Sequence, residues 1–185
     1  MRKPAFTFAI CIAFGLLSTT AFGEQKLLDT FDNDPQNRWE YLADTVMGGV
    51  STGQVSFETE NGSGFARLTG NVSTDNRGGF IQFRTKLKET PAKDAKGIRF
   101  ITRGNSQRYY VHLRTSGTLL PWQYYQASFE VTPQWSEVRI AFSDFEASGR
   151  MLRSKPRTGS IKSIGIVAFG RDHQAKVDVQ EVGFY

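Results

Sequence analysis

The sequence predicts an all-β protein, a single antiparallel β-sandwich, on three observations. Apolar residues recur with a period of two, the alternating runs are short and bounded by turn formers, and no stretch carries a helical apolar stripe. Within residues 108–114, Tyr109, Val111 and Leu113 share one face while Tyr110, His112 and Arg114 share the other. Tyr125, Ala127, Phe129 and Val131 alternate in the same way with Tyr124, Gln126, Ser128 and Glu130, and Val138, Ile140 and Phe142 repeat the pattern. Gly104-Asn105-Ser106, Ser116-Gly117, Thr132-Pro133 and Gly170-Arg171-Asp172 cut the runs. Short strands at this spacing build sandwiches or barrels.

In chain order, strands are expected over residues 26–31, 39–44, 54–58, 64–71, 79–85, 98–103, 108–114, 124–131, 137–142, 161–169 and 175–185. The last changes phase, because Val177 and Val179 face one way and Val182 and Phe184 the other. A bulge near Gln180-Glu181 would account for it. Residues 143–160, rich in Gly, Ser, Arg and Pro, read as the one long irregular segment.

Residues 1–23 read as a secretory signal. Arg2 and Lys3 open it, residues 6–17 are apolar and uncharged, and Ala21-Phe22-Gly23 offers small residues for cleavage. The apolar run, which holds Cys11, is short for a membrane anchor. The expected product is one domain over residues 24–185, periplasmic or secreted, with no transmembrane segment after cleavage. It would carry a net charge of +3, two less than the +5 of the whole chain. That mild balance, without a Lys/Arg block, excludes nucleic acid as the expected partner. Residues 24–185 contain no cysteine, so disulfides, thiolate zinc sites and a cysteine nucleophile are excluded there. Such a chain depends on its core, and about 160 residues bury close to 70% of their unfolded surface.

Two glycine doublets mark corners. Met47-Gly48-Gly49 leads to Ser51, and Gly78-Gly79 follows Arg77. A phosphate loop needs Gly-Lys-Ser/Thr at a helix start, which neither has. The reading is structural: one glycine takes positive φ, the other admits a close neighbour, and Ser51 ties up a turn amide. Asp44 and Arg77 flank the two turns and are placed to pair with each other or with nearby backbone.

With Ile98, Phe100, Tyr109, Val111 and Leu113 in the core, the opposite side would gather Arg99, Arg103, Tyr110, His112 and Arg114. Tyr124 and Gln126 would join from the next strand, and Trp122 is a further aromatic candidate in a loop. Aromatic planes beside guanidinium forks suit sugar rings or acidic groups. The same pattern fits a solvated face whose long side chains cover apolar stems. Trp39 and Trp135 are expected in the core.

Catalysis has little to stand on. His112 and His173 are the only histidines, no Gly-x-Ser-x-Gly elbow is present, and Glu58 and Glu60 have no evident opposing carboxylate. No catalytic residue, metal or cofactor is expected. Asp29, Asp32 and Asp34 around Asn33 are weak calcium candidates, since they lack an EF-hand spacing and also form an ordinary turn.

Several of these blocks stand together in one order: Asp44-Thr-Val-Met-Gly-Gly-Val-Ser51, Arg77-Gly-Gly-Phe80, residues 97–103 with Arg108-Tyr109-Tyr110-Val111, Tyr124-Tyr125-Gln126-Ala127-Ser128-Phe129, Trp135-Ser136-Glu137-Val138 and Ile161-Lys-Ser-Ile-Gly-Ile166. In them the chain resembles the complex I intermediate-associated protein 30 family. The resemblance implies a galactose-binding-like jelly-roll β-sandwich, a fold shared with carbohydrate-binding modules, and a non-catalytic binding or assembly role. The first expectation is therefore protein interaction, chaperone-like, with an unidentified protein partner. The alternative is carbohydrate or cell-envelope glycan binding on the Arg/Tyr face, with a hydrolase as a minor third class. A shallow aromatic-arginine cleft would favour glycan, and a flat apolar patch a protein partner.

Overall fold

The computed structural model describes residues 26–185, so the leader assigned to residues 1–23 lies outside the described residues. Twelve strands form: β1 (Lys26–Asp29), β2 (Trp39–Ala43), β3 (Thr52–Glu60), β4 (Ser63–Val72), β5 (Phe80–Lys86), β6 (Gly97–Gly104), β7 (Arg108–Thr115), β8 (Tyr125–Glu130), β9 (Ser136–Ala141), β10 (Glu146–Ala147), β11 (Ile161–Phe169) and β12 (His173–Phe184). They make two antiparallel sheets. The first runs β3-β4-β12-β6-β9, with β1 paired to the far end of β12; the second runs β10-β8-β7-β11-β5-β2. Among the described residues the helical content is short 3-10 turns.

The period-two pattern does what it promised. Leu68, Ile98, Phe100, Val177 and Val179 of the first sheet meet Ile81, Phe83, Tyr109, Val111, Leu113, Ile164 and Ile166 of the second, all fully buried. The phase change in β12 is a bulge, with the register slipping between Gln180 and Val182 and Glu181 at φ 47°. The β3–β4 hairpin turns on Asn61 and Gly62, both at positive φ, which matches the right-handed twist of the strands it joins.

Both glycine doublets close on one carboxylate. Asp44, fully buried, accepts the backbone N–H of Ser51 at 3.0 Å, the Ser51 hydroxyl, and the N–H groups of Gly79 and Phe80 at 2.5 and 3.2 Å. Gly48 and Gly79 take φ 89° and 128°, while a Cβ on Gly49 or Gly78 would overlap the Asp44 carboxylate. Burial pushes the Asp44 pKa up, but hydrogen bonds from Ser51, Gly79 and Phe80 outweigh it and hold the group below its usual range. Ser51 also ties up a turn amide, that of Ser73. The partner of Asp44 is thus backbone and Ser51, not Arg77.

The structure corrects three expectations. β6 and β7 do not share a sheet: the chain crosses between layers at Asn105-Ser106-Gln107. Tyr109 pins that corner, donating its hydroxyl to Asn105 Oδ1 at 2.6 Å and accepting the Lys176 N–H at 2.8 Å. Residues 143–160 are not wholly irregular, since β10 pairs with β8 there. Trp135 is only half-buried, packing edge-on to Phe65 outside the first sheet. Near the weak calcium candidates, the Asp29 carboxylate is filled by Arg38, by the Trp39 indole N–H and by the Phe31 amide, and so anchors the turn. Asp32 accepts from Arg38 through its backbone carbonyl, and the Asp34 side chain accepts from Gln36.

Candidate binding face

The layer crossing splits the residues that the sequence grouped. Arg99 and Arg103 lie outside the first sheet, whereas Tyr110, His112, Arg114, Tyr124 and Gln126 belong to the outer side of the second. The two arginines are also fully engaged. Arg99 bridges Glu137 and Glu181. Arg103 bridges Asp178 and Glu60 with its guanidinium 4.4 Å over the Trp135 ring, and Arg67 grips the other side of Asp178. That network braces the first sheet and leaves those side chains little to offer a ligand.

On the second sheet, pairing fixes which side chains stand together. His112 lies opposite Gln126 on one side and Gly165 on the other; Tyr110 lies opposite Ser128 and Val167. Gly165 and Val167 in turn face Arg84 and Gln82 of β5. Gly165 and Val167 of the central strand β11, both buried, therefore lie between Tyr110 and His112 on one flank and Gln82 and Arg84 on the other.

Aromatic rings dominate the first flank. The His112 and Tyr124 rings stack at 4.1 Å and 11°, and Phe169 stands edge-on to His112 at 5.4 Å and to Tyr110 at 5.6 Å. Beyond them is a recess of ≈ 390 Å³ lined by Gln107, Arg108, Tyr110, Glu130, Phe169 and Arg171, an aromatic-arginine hollow. Phe169, Gln82 and Gly165 were missed by sequence reasoning. The phase of β11, with Ile164, Ile166 and Ala168 inward, was the signal that places Phe169 and Gly165 outward.

The charges near this face are mostly answered. Arg84 pairs with Glu40, and Arg108 with Glu130. Arg114 spends its guanidinium on the carbonyls of Thr118, Leu120 and Pro121, and burial together with nearby Arg84 lowers its pKa. Burial drives the His112 pKa down to about 3 against the opposing pull of a side-chain hydrogen bond with Gln126, so the imidazole is neutral at physiological pH. His112 Nε2 and Gln126 Oε1, at paired positions of β7 and β8, are both buried with no partner but each other, and the Nε2–H tautomer of the imidazole would donate to the amide oxygen.

Neither histidine sits in a triad. His112 is ringed by aromatics, and His173 Nδ1 contacts the Arg171 carbonyl at 2.8 Å. Glu58 and Glu60 are held by Arg67 and Arg103. Trp122 is apart from the stack, 62% exposed in the β7–β8 loop.

A larger cleft of ≈ 690 Å³ lies where β1 meets β2 and β5. Six of its charged groups pair with one another, Lys26 with Glu89, Arg38 with Asp29 and Arg84 with Glu40, while Lys86 and Lys88 stand beside them, and it lacks the stacked rings of the aromatic face.

Residues 28–179 match the model of the complex I intermediate-associated protein 30 family. The chain belongs to that family. No curated protein matches this family member. Its fold is shared with solved carbohydrate-binding modules. The family 11 module of the cellulosomal cellulase Lic26A-Cel5E of Clostridium thermocellum superposes with a TM-score of 0.66 at 16% identity, over 87% of this chain and 94% of that one. The family 11 module from Clostridium thermocellum in complex with a beta-1,3-1,4-mixed-linked tetrasaccharide gives 0.65 at 17%, over 86% and 94%. A family 30 carbohydrate-binding module gives 0.53 at 12%, over 74% and 92%. At such identities the likeness establishes a jelly-roll, galactose-binding-like sandwich and nothing of what this family member binds.

Proposed function

We propose that this protein is a non-catalytic module that binds a neutral saccharide chain on the outer face of the second sheet. The observation that carries the reading is the aromatic shelf on this face, with the Tyr124 ring stacked on His112 and Phe169 edge-on to His112 and Tyr110, next to the recess lined by Tyr110, Phe169, Arg108 and Arg171. The rings supply flat apolar area for the C–H side of a pyranose. Because the arginines here are paired or spent on carbonyls, the face suits a neutral chain better than an acidic one. The shared fold with carbohydrate-binding modules supports the reading.

A titration calorimetry panel of neutral oligosaccharides, including a beta-1,3-1,4-mixed-linked tetrasaccharide, tests it. Binding by the native protein that Tyr124→Ala abolishes is the expected result. Heat in no member of the panel would end the proposal.

A second reading, docking of a protein partner, is favoured by the tip of the Asp44 turn. Val46, Met47 and Val50 are 63, 58 and 45% exposed on backbone that Asp44 holds rigid. The double change Val46→Ser with Met47→Ser would abolish partner crosslinking on this reading and leave saccharide binding intact. Unchanged crosslinking would exclude that tip.

A further inference from the structure

At the end of the sandwich where β7 gives way to β8, two loops turn apolar and cationic side chains outward together. We infer that these loops, residues 116–124 and 148–160, dock the protein on an anionic lipid bilayer.

The first loop satisfies its polar groups internally. Arg114 donates to the carbonyls of Thr118 and Leu120 at 3.1 and 3.0 Å, and Gln123 Oε1 accepts the N–H groups of Leu119 and Leu120 at 2.8 and 3.0 Å. What remains for the outside is apolar: Leu119 is 82% and Trp122 62% exposed. An ordinary surface loop presents the reverse.

The second loop is stitched to the first at both ends. The Ser148 N–H donates to the Tyr124 carbonyl at 2.9 Å and its hydroxyl to the Trp122 carbonyl at 3.0 Å, while the Ser116 N–H donates to the Ser160 carbonyl at 2.8 Å. Leu152 packs against the core and Pro156 is buried, which pins the loop between its ends. Met151 is 79% exposed beside four exposed cations, Arg150, Arg153, Lys155 and Arg157. None of the four has an acidic partner among the described residues, although most other arginines here do. Residues 147–171 contain no acidic residue at all.

Basic side chains beside a protruding indole and aliphatic tips match the two layers of a lipid surface. Headgroup phosphates take the cations, and the boundary beneath them takes Trp122, Leu119 and Met151. A protein partner would need a separate pocket for each projecting tip, whereas a fluid interface receives them singly. The projecting tips, Leu119, Trp122 and Met151, lie outside the His112–Tyr124 stack, so docking through them stands or falls apart from saccharide binding.

The test is co-sedimentation of residues 24–185, which hold both sheets and the whole described core, with vesicles of phosphatidylglycerol mixed with phosphatidylcholine or of phosphatidylcholine alone. Binding is expected to the anionic vesicles only, weakening with salt, with a blue shift of tryptophan emission that Trp122→Phe removes. Replacing all four cations by Gln is expected to weaken binding roughly 100-fold or more with an unchanged melting temperature. The salt dependence and the Trp122 shift are read on the native sequence and so do not depend on how that variant folds. Absence of binding, binding that survives charge removal, or binding without the Trp122 shift would overturn the inference. So would capture by soluble dextran sulfate in place of vesicles, which would assign the surface to an acidic polymer.

Discussion

His112 and Tyr124 lie ring on ring, 4.1 Å apart and 11° from parallel, and the stack seals one imidazole nitrogen from solvent. With Gln126 as its polar neighbour, the buried imidazole stays neutral and backs the Tyr124 ring as a flat apolar platform on the outer face.

Tyr124→Ala is therefore expected to weaken saccharide binding by about tenfold or more, in the range of a central aromatic contact. Calorimetry measures it. Gln126→Ala should act in the same direction, while Ser128→Ala, further along β8, should matter less.

Stability should fall with acidity through His112. Its pKa drops from 6.5 in the unfolded chain to about 3 in the fold. Above 6.5 both states are neutral and nothing changes. Below it the unfolded chain binds a proton that the fold refuses, so stability declines by at most about 1.4 kcal/mol per pH unit until the folded value is reached. His173 is shifted the same way by burial and adds to the slope. Urea denaturation between pH 6.5 and 4.5 should show the decline, and His112→Gln should reduce it. An equal slope in the variant would put the effect elsewhere.

Asp44→Ala should cost at least about 2 kcal/mol, because the buried amides of Ser51 and Gly79, the part-buried amide of Phe80 and the Ser51 hydroxyl lose their acceptor at once. Gly49→Ala and Gly78→Ala should destabilise by driving a methyl into the same carboxylate. Chemical denaturation midpoints test all three. As the Asp44 pKa is held below its usual value, its share is present at neutral pH and is lost as acidity protonates it.

Arg103→Ala separates the two faces. It removes the bridge between Asp178 and Glu60 and should lower stability by about 1–3 kcal/mol while saccharide affinity is unchanged. Loss of affinity with stability intact would return Arg103 to the binding surface.

Much of this fold could be read before any coordinates, and particular residues show where reading stopped. The alternation of Tyr109, Val111 and Leu113 with Tyr110, His112 and Arg114 gave the inward and outward sides of β7 correctly. The bulge at Glu181 was visible as a slipped phase, and the doublets as corners. Alternation is a local property, however, and says nothing of which layer a strand joins. The three residues after Gly104 carry the chain from one sheet to the other, so Arg99 and Arg103 left the face to which period alone had assigned them. Phe169 and Gln82 entered it through strand pairings that only the assembled sheet creates. That Asp44 serves both doublets depends on a contact across 35 residues, which no local pattern encodes.

The central claim, that the outer face of the second sheet is the binding surface, is tested most directly by amide chemical shifts during titration with the neutral oligosaccharides. The account predicts perturbations concentrated at Tyr110, His112, Tyr124, Gln126 and Gly165, with Arg99 and Arg103 silent. Perturbations centred on the Arg67–Asp178–Arg103 side, or a spectrum that no oligosaccharide moves, would contradict it.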